Sequence, residues 1–355
     1  MTADPRPSTE PVIDLSRHTQ LDDRQSALVA TFVELFSLAD RHGAAVHARE
    51  LLTGGRDADE IREALALAQR HVGELWQAGH WTITQEHAAT AVAEAVLATL
   101  DETVDDRPAV GRVAIAAADG EWHALPARLA GHAFSRVGLE TVFLGAGLPA
   151  GDVARTLPAL QVDALAVSVT MPSNLTGAAR TVAAGHSAGL PVLLGGGASS
   201  PQRARALGAE AHASSVQDGA QTVLRWIEEG ARATGTPALR SAETDAMRRR
   251  RTVLLDEAFS AAEERWHALD EVPDDLLDHV IEDLEQLYDH LVAAVLVDEP
   301  PVFTSLVPWL TEVHAGRGLP PALLEIELES LDTVLGEHPE ARTLVRDARS
   351  SGAGD

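Results

Sequence analysis

A histidine and a carboxylate lie two residues apart on a predicted loop, where they could hold a metal ion. Residues 112–117 form a short apolar run, typical of a buried parallel strand, and residues 118–120 favour a turn. His123 follows at the carboxyl end of that strand, where open α/β sheets bind ligands. Its imidazole could coordinate a metal ion while Glu121 bonds the other ring nitrogen. Read alone, the Glu121-Trp122-His123 segment is more often an ordinary surface loop.

Two further predicted strands end in residue types that suit a bound ligand. Residues 164–170 end in the hydroxyls of Ser168 and Thr170, which leave room for a ligand beside the sheet. Residues 191–197 end in three glycines, which allow close backbone approach: Gly195, Gly196 and Gly197. Each segment alone is compatible with an ordinary strand terminus. Their order and strand context favour one shared ligand site.

Together the three segments resemble the cobalamin-binding domain shared by methionine synthases, corrinoid carriers and light-dependent carotenoid-gene repressors. That family usually shows Asp-x-His-x-x-Gly, then Ser-x-Leu or Ser-x-Thr, then Gly-Gly. Here Glu121 replaces the aspartate and Pro126 replaces the glycine, and the glutamate form looks more like the photoreceptor branch. The resemblance implies a lower cobalt ligand at His123, with the rest of the three segments around the cofactor.

A second pattern lies upstream, where Trp76 is followed after nine residues by Glu86-His87. Read alone, such a tryptophan is most often part of a helical-bundle core. Beside the first pattern, it resembles the cap of the light-dependent cobalamin repressors. The resemblance implies adenosylcobalamin as cofactor, with Trp76, Ile83, Glu86 and His87 lining the upper cobalt face.

One position departs from those repressors. In that family a histidine directly follows the tryptophan and captures cobalt after light breaks the cobalt–carbon bond, whereas this chain has Gln77. Either His80, His87 or water would then take the upper position. A helix-turn-helix domain also precedes the bundle in the repressors, and here about twenty polar residues occupy that place.

The composition restricts the class of protein. With no cysteine, the 355-residue chain has neither disulfides, thiolate metal sites nor a thioether-linked chromophore. A net charge of −26 opposes nonspecific binding to nucleic acid, so no direct DNA binding is expected. Because signal-peptide and membrane-span patterns are lacking, we expect a cytoplasmic protein without a membrane partner.

Periodicity predicts an α/β plus all-α protein. A helical-bundle cap and a C-terminal α-helical domain flank a Rossmann-like cobalamin-binding domain with five strands. The predicted parts are a disordered tail at 1–20, the four-helix bundle cap at 21–103, the Rossmann-like domain at 109–232 and the C-terminal domain at 242–350.

The C-terminal block has two interpretations. Its core and surface residues suit a dimerising helical domain. The layout as a whole resembles the photocobilins, photoreceptors that pair cobalamin with a bilin, which implies a noncovalent bilin such as biliverdin. Arg248 to Arg251 form either a solvated face or partners for carboxylates or propionates. The candidate pocket residues are Tyr288, His290, Trp309, His314 and Arg317.

These resemblances imply a light sensor rather than an enzyme, and no catalytic residue is assigned. Adenosylcobalamin would bind between the cap and the Rossmann-like domain, and loss of its adenosyl group in light would change oligomeric packing or a partner contact. We expect a homo-oligomer that signals through a separate output protein. The alternatives are a corrinoid methyl carrier for a methyltransferase system and a cobalamin-responsive antirepressor.

Overall fold

The computed structural model describes residues 23–104, 108–235, 242–266 and 274–352, with side chains from 277 to 350 in the last range. The predicted tail at 1–20 lies outside these residues. The chain divides into two compact units. One is formed by the first four helices, and the other by the sheet and the C-terminal helices together with residues 77–79. Among the described helices, none is both long and apolar enough to cross a membrane.

The first unit consists of α1 (Asp23–Ser37), α2 (Arg41–Thr53), α3 (Ala58–Gln77) and α4 (Ile83–Asp101). Helix α1 buries an apolar stripe that includes Phe32 and Phe36, whose rings stack at 6.3 Å. Helix α4 begins with a capping box in which Thr82 and Gln85 satisfy each other's backbone N–H groups. This cap fixes where the turn after α3 ends.

The second unit contains a parallel sheet with alternating helices. Its strands are β1 (Gly111–Ala117), β2 (Leu139–Gly145), β3 (Ala164–Ser168), β4 (Val192–Gly195) and β5 (Ala211–His212). Its crossover helices are α5 (Ala124–Arg136), α6 (Ala150–Leu160), α7 (Leu175–Ser187), α8 (Pro201–Leu207) and α9 (Val216–Glu229). The strand order is β2-β1-β3-β4-β5, and every paired neighbour is parallel.

Helices cover both faces of this sheet. Alternate residues of β3 enter opposite cores, because successive side chains of a strand point to opposite faces. Ala164 and Ala166 join the core with α5 and α9, whereas Leu165 and Val167 join the core with α6, α7 and α8. The strand order places the reversal of winding between β1 and β3, where open sheets of this kind bind ligands. The loops after β1 and β3 therefore flank the expected ligand crevice.

The C-terminal helices are α10 (Ala242–Arg265), α11 (Asp274–Val297), α12 (Pro301–Thr304), α13 (Leu306–Arg317), α14 (Ala322–Val334) and α15 (Pro339–Gly352). Helix α11 packs against α7, α8 and the short 3₁₀ turn Pro172–Asn174 after β3. One hydrophobic core runs from the sheet into these helices. The predicted fold class is confirmed, although the C-terminal helices share a core with the sheet rather than enclosing a separate one.

Candidate functional site

Glu121 ties together the two loops that flank the crevice. Its side chain is fully buried, and one carboxylate oxygen accepts hydrogen bonds from the backbone N–H of Thr170 (2.9 Å) and of Met171 (3.0 Å). The other oxygen accepts the backbone N–H of His123 at 3.1 Å and contacts Nδ1 of the same residue. Glu121 therefore fixes the loop after β1 to the loop after β3 and orients the His123 ring.

The Glu121 carboxyl is ionised throughout the physiological range. Burial acts to raise its pKa, but the hydrogen bonds from the His123 side chain and the Met171 backbone, with the charge of His123, outweigh burial. They lower the pKa from its ordinary value of 4.5 to about 2. The negative charge favours a proton on Nδ1 of His123, so coordination of a metal would use Nε2.

We expect Glu121→Gln to destabilise the sheet unit by about 3 kcal/mol at pH 7, the equivalent of the shift in pKa. Because the folded pKa is depressed, the stabilising contribution is complete above about pH 4.5 and is lost as pH falls towards about 2. In urea unfolding experiments, the difference in free energy of unfolding between variant and parent should therefore shrink as pH falls from about 4.5 towards about 2. Glu140→Gln is the control, since exposed Glu140 pairs with Arg112 at 3.0 Å and should contribute little. A pH-independent difference would contradict this role.

His123 is held at the start of a helix. It occupies the N-cap position of α5 without a side-chain cap hydrogen bond. Its side chain is 51% exposed, unlike the fully buried Glu121 beneath it. Pro126 falls in the first turn of α5, where the missing N–H of a proline costs nothing. The departure from the family glycine is thus compatible with the helix, and His123 combines a fixed orientation with access to a ligand.

The Asp119 carboxylate forms a second hydrogen-bond network that supports the loop after β1. The sequence predicts only a turn at this position. The Asp119 carboxylate accepts hydrogen bonds from the Arg180 side chain (2.7 Å) and from the backbone of Ala150 (3.2 Å). Its own backbone N–H donates to Thr181 at 3.0 Å. Burial acts to raise the Asp119 pKa, but the bonds from Arg180 and Ala150 outweigh it and lower the pKa. Helices α6 and α7 are thereby joined to the loop after β1.

Two glycines allow the loops to approach the backbone closely. A Cβ at Gly177, in the first turn of α7, would overlap the Asp119 carbonyl group. A Cβ at Gly196 would overlap the Val169 backbone, and its φ of +101° also favours glycine. The close approach at Gly196 is therefore to the protein's own loop after β3. No signal short of the fold would have singled out Gly177.

The predicted hydroxyls lie at the end of β3. Ser168 is buried, and its carbonyl accepts the Ala118 N–H at 2.9 Å. The Thr170 hydroxyl oxygen is buried, and no hydrogen-bond partner reaches it among the described residues. A polar atom buried in this way is costly unless something satisfies it. The Thr170 hydroxyl belongs to the residue whose backbone N–H donates to Glu121. A ligand in the crevice could therefore form a hydrogen bond with this hydroxyl.

The remaining lower-face candidates are Trp122, Gly195 and Gly197. Trp122 is 78% exposed, and its ring lies over Gly147 in the loop after β2, where a Cβ would approach it to 2.8 Å. Gly195 ends β4, and Gly197 follows in the turn. At these two glycines a Cβ would make contacts of ordinary length, at 3.7 and 3.6 Å. Neither therefore requires glycine on steric grounds.

The upper-face candidates lie at one end of the helical unit. Trp76 is half-buried in the last turn of α3, and Gln77 ends that helix. Ile83 begins α4 and is 51% exposed, which is unusual for so large an apolar side chain. A short turn separates the end of α3 from the start of α4, so Trp76 and Ile83 are close along the chain.

Glu86 is held in place by neighbours within the helical unit. Its carboxylate accepts a hydrogen bond from Thr90 at 3.2 Å and lies 3.5 Å from the Gln69 amide. Gln69 also donates to Thr90 at 2.6 Å. His87 is exposed, and its Nε2 lies 3.4 Å from the Glu86 carboxylate. Glu86 and His87 therefore contact each other.

The structure brings together two of the five C-terminal candidates. His290 and Trp309 line an open cavity of about 210 Å³ that also includes the loop after β3. The other lining residues are Met171, Pro172, Val302, Ser305 and Leu306. Burial lowers the pKa of His290, although the Gln286 carbonyl 2.8 Å from Nδ1 acts to raise it.

The other three C-terminal candidates lie elsewhere. Tyr288 is in the core, and its hydroxyl donates to the Met247 carbonyl at 2.8 Å. His314 is buried, with Nε2 2.7 Å from an Asp283 oxygen. Arg317 is exposed at the end of α13. Tyr288 and His314 are thus buried in the helical core and are not among the residues that line the cavity.

Three arginines of the basic run pair with carboxylates of the same unit. Arg251 makes the shortest contact, 2.8 Å to Asp289, and its other contact is with Glu285. Arg250 lies 3.2 Å from Glu337, and Arg248 lies 3.7 Å from Asp245. Of the alternatives left open by the sequence, carboxylate pairing applies to these three residues.

Both the four helices and the sheet match models of known protein families. Two family models, each described as a B12 binding domain, match residues 34–101 and 111–224. The first range covers most of the four helices, and the second spans the five-stranded sheet. No curated protein matches the chain significantly in sequence.

Three solved structures are similar to parts of this chain. The monomethylamine corrinoid protein of Methanosarcina barkeri superposes with a TM-score of 0.50 at 17% identity, covering 57% of this chain and 99% of that one. A cobalamin-binding protein from Desulfitobacterium hafniense DCB-2 gives 0.31 at 20% identity, covering 56% and 98%. The methanol:cobalamin methyltransferase complex of M. barkeri gives 0.32 at 16% identity, covering 60% and 83%.

The residues present fit a corrinoid. Glu121 fixes an accessible His123 at the switch point of the sheet, and a buried hydroxyl of Thr170 stands without a described partner beside it. When bound, a corrinoid would supply cobalt to the histidine nitrogen. With one B12-binding model matching the helices and a second matching the sheet that carries His123, the chain is a cobalamin-binding protein.

Proposed function

We propose that the chain is a light-sensing photoreceptor that binds adenosylcobalamin, rather than an enzyme. The proposal is carried by the residue types at the end of α3 and the start of α4 in the helical unit, namely Trp76, Ile83, Glu86 and His87. They combine a half-buried aromatic ring, an exposed aliphatic side chain and a held carboxylate. These groups suit a bulky nucleoside, which can stack on the ring and donate hydrogen bonds to Glu86.

The size of the upper ligand separates the proposal from a methyl carrier. A methyl group is too small to contact an aromatic ring and a carboxylate at the same time. An adenosyl group offers both an aromatic base and hydroxyl donors. The held conformation of Glu86, with Gln69 and Thr90 beside it, reduces the entropy that binding such donors would cost.

The proposal gives each candidate residue a role. His123 would bind cobalt through Nε2, with Glu121 as its positioning residue. Trp76 and Glu86 hold the adenosyl group. When bound, the cofactor would supply a light-sensitive cobalt–carbon bond. Without an adenosyl group, Trp76 and Glu86 would lose the contacts proposed for them, and only such differential contacts can shift a conformational equilibrium. The output is a change in homo-oligomer packing or in contact with a separate output protein.

We expect Trp76→Ala to remove most of the preference for adenosylcobalamin over methylcobalamin. A buried aromatic contact of this kind contributes about 2 kcal/mol, or roughly thirtyfold in affinity. Competitive binding of the two cobalamins measures the preference. Trp226→Ala, a similarly half-buried tryptophan of α9, should leave the preference unchanged. Equal affinity for both cobalamins in the parent protein would count against the cap and would favour a methyl carrier.

We further propose that the C-terminal helices hold a bilin such as biliverdin noncovalently. Support comes from the absence of cysteine and from the cavity lined by His290 and Trp309. At about 210 Å³ the cavity is smaller than typical ligand pockets of roughly 300–1,000 Å³, so binding requires local opening. The propionates would need cations, for which the paired Arg248, Arg250 and Arg251 would have to exchange carboxylate partners.

Titration of the full-length chain with biliverdin tests this second proposal. A red-shifted, sharpened bilin absorption is expected, and Ser305→Phe should abolish it by filling the cavity. Thr311→Phe is the matched control, because Thr311 is exposed on α13 outside the cavity lining. The full chain is required since the C-terminal helices share their core with the sheet. If the bilin spectrum stays that of the free pigment, the dimerisation interpretation of these helices is favoured.

A further inference from the structure

Three metal-ligating side chains meet in the interior of the C-terminal helices. Asp283 of α11, His314 of α13 and Glu327 of α14 are all buried. Each offers one ligand atom within 4.8 Å of the others. Nε2 of His314 lies 2.7 Å from an Asp283 oxygen. His314 follows Asp283 by 31 positions and Glu327 follows His314 by 13, so no local sequence motif predicts the cluster.

The Glu327 carboxylate is buried without a hydrogen-bond partner among the described residues. Its side chain has no solvent exposure, and no hydrogen bond reaches either carboxylate oxygen from the described residues. Nδ1 of His314 is likewise buried without a described partner. A buried carboxylate without hydrogen bonds costs several kcal/mol, and burial of a charge is tolerated mainly when it is paired or coordinates a metal.

The described residues of the second unit supply no buried arginine to compensate these carboxylates. The chain contains no lysine, and no described arginine of the second unit is buried. The buried residues on the same three helices are mainly leucine and valine, among them Leu284, Val313 and Leu328. Two carboxylates therefore share an apolar interior with a single imidazole.

We propose that Asp283, His314 and Glu327 form a binding site for a divalent transition-metal ion, zinc by ligand type, separate from the cobalt of the cobalamin. Zinc accepts imidazole nitrogen and carboxylate oxygen at roughly 2.0–2.2 Å, which places the donors around one ion roughly 3.5 Å apart. Donor atoms already within 4.8 Å reach that arrangement by small side-chain movements. The second Glu327 oxygen or a water completes four-coordination.

A bound cation would change the charge state of this cluster. Burial, with the nearby charge of Asp283, raises the pKa of Glu327 well above its ordinary value, which disfavours the ionised carboxylate when no cation is present. A divalent ion reverses this preference and holds both carboxylates ionised. The ion replaces the hydrogen bond between His314 and Asp283 with bonds to all three residues.

The site would brace the cavity described above. Its ligands come from α11 and α13, and the same two helices carry His290 and Trp309 of the cavity wall. The third ligand adds α14. An ion at this point fixes the separation of the two helices that line the cavity.

Zinc binding to the full-length, chelator-treated protein tests the proposal. Titration with zinc chloride against a chromophoric chelator should give about one tight zinc per chain, with a rise in Tm. Glu327→Gln and His314→Gln keep side-chain size and should weaken binding by more than about tenfold. Glu282→Gln, an exposed acid adjacent to Asp283 on α11, is the matched control and should leave binding unchanged. Absence of tight zinc, or equal binding by Glu327→Gln and the parent, overturns the site.

X-ray absorption at the zinc edge of the unmutated protein gives a test that does not depend on the variants folding. The expected first shell contains nitrogen and oxygen at roughly 2.0–2.1 Å with scattering from one imidazole. A shell with several imidazoles would show that surface histidines hold the zinc, and would overturn the proposal.

Discussion

Replacing His123 with alanine is expected to shift the absorption spectrum of bound cobalamin towards the base-off form. The lower ligand is lost, while the fold should survive because His123 is half-exposed and makes no N-cap hydrogen bond. Affinity for cobalamin should fall by more than about tenfold, since even residues that only position a metal ligand contribute that much. Glu121 would also lose its ring partner, which leaves its bonds to Thr170 and Met171 intact.

Absorption spectroscopy of the reconstituted variant, with equilibrium binding, measures both effects. His42→Ala is the control, because it removes an exposed histidine from α2 in the helical unit. Its spectrum and affinity should match those of the parent. If His123→Ala keeps the parent spectrum, His123 does not coordinate cobalt.

Substitution of Gly177 by alanine is expected to lower the free energy of unfolding by about 3 kcal/mol. A Cβ at this position overlaps the backbone carbonyl of Asp119, and neither a helix nor a loop backbone can give way as a flexible side chain would. The loop that leads from Asp119 to Glu121 and His123 must move. Cobalamin binding should therefore weaken although residue 177 itself contributes no ligand.

Denaturant unfolding and cobalamin titration of the same variant check the two effects together. Gly151→Ala is the matched control, since Gly151 also lies in the first turn of a crossover helix and a Cβ there meets only the tip of Arg155, at 3.7 Å. That control should be neutral or slightly stabilising. A Gly177→Ala protein as stable as the control would contradict the close packing of α7 on the loop.

The sequence was sufficient for the fold class because buried parallel strands leave continuous apolar runs. Residues 112–117 and 164–168 mark β1 and β3 in this way. The contact between Glu121 and His123 could also be predicted, since both residues belong to one tight loop. Their neighbouring positions allow a hydrogen bond whatever the rest of the chain does.

Contacts that depend on packing between elements could not be predicted. The Glu121 carboxylate bonds to Thr170 and Met171, about fifty residues away, only because β1 and β3 become neighbours. Tyr288 and His314 were predicted in a bilin pocket, and helical periodicity alone could not separate a cavity wall from a core. Their placement follows from how α10, α11 and α13 pack.

The light response is tested most directly by the size of the cobalamin-loaded protein in the dark and after green light. Size-exclusion chromatography with light scattering should show a change for the adenosylcobalamin-loaded protein, because Trp76 and Glu86 lose the adenosyl group. The methylcobalamin-loaded protein, which never makes those contacts, should show the same mass in the dark and after light. An adenosylcobalamin-loaded protein whose mass and elution are identical before and after complete photolysis, in the presence of no other protein, would contradict a light-driven change in oligomeric packing.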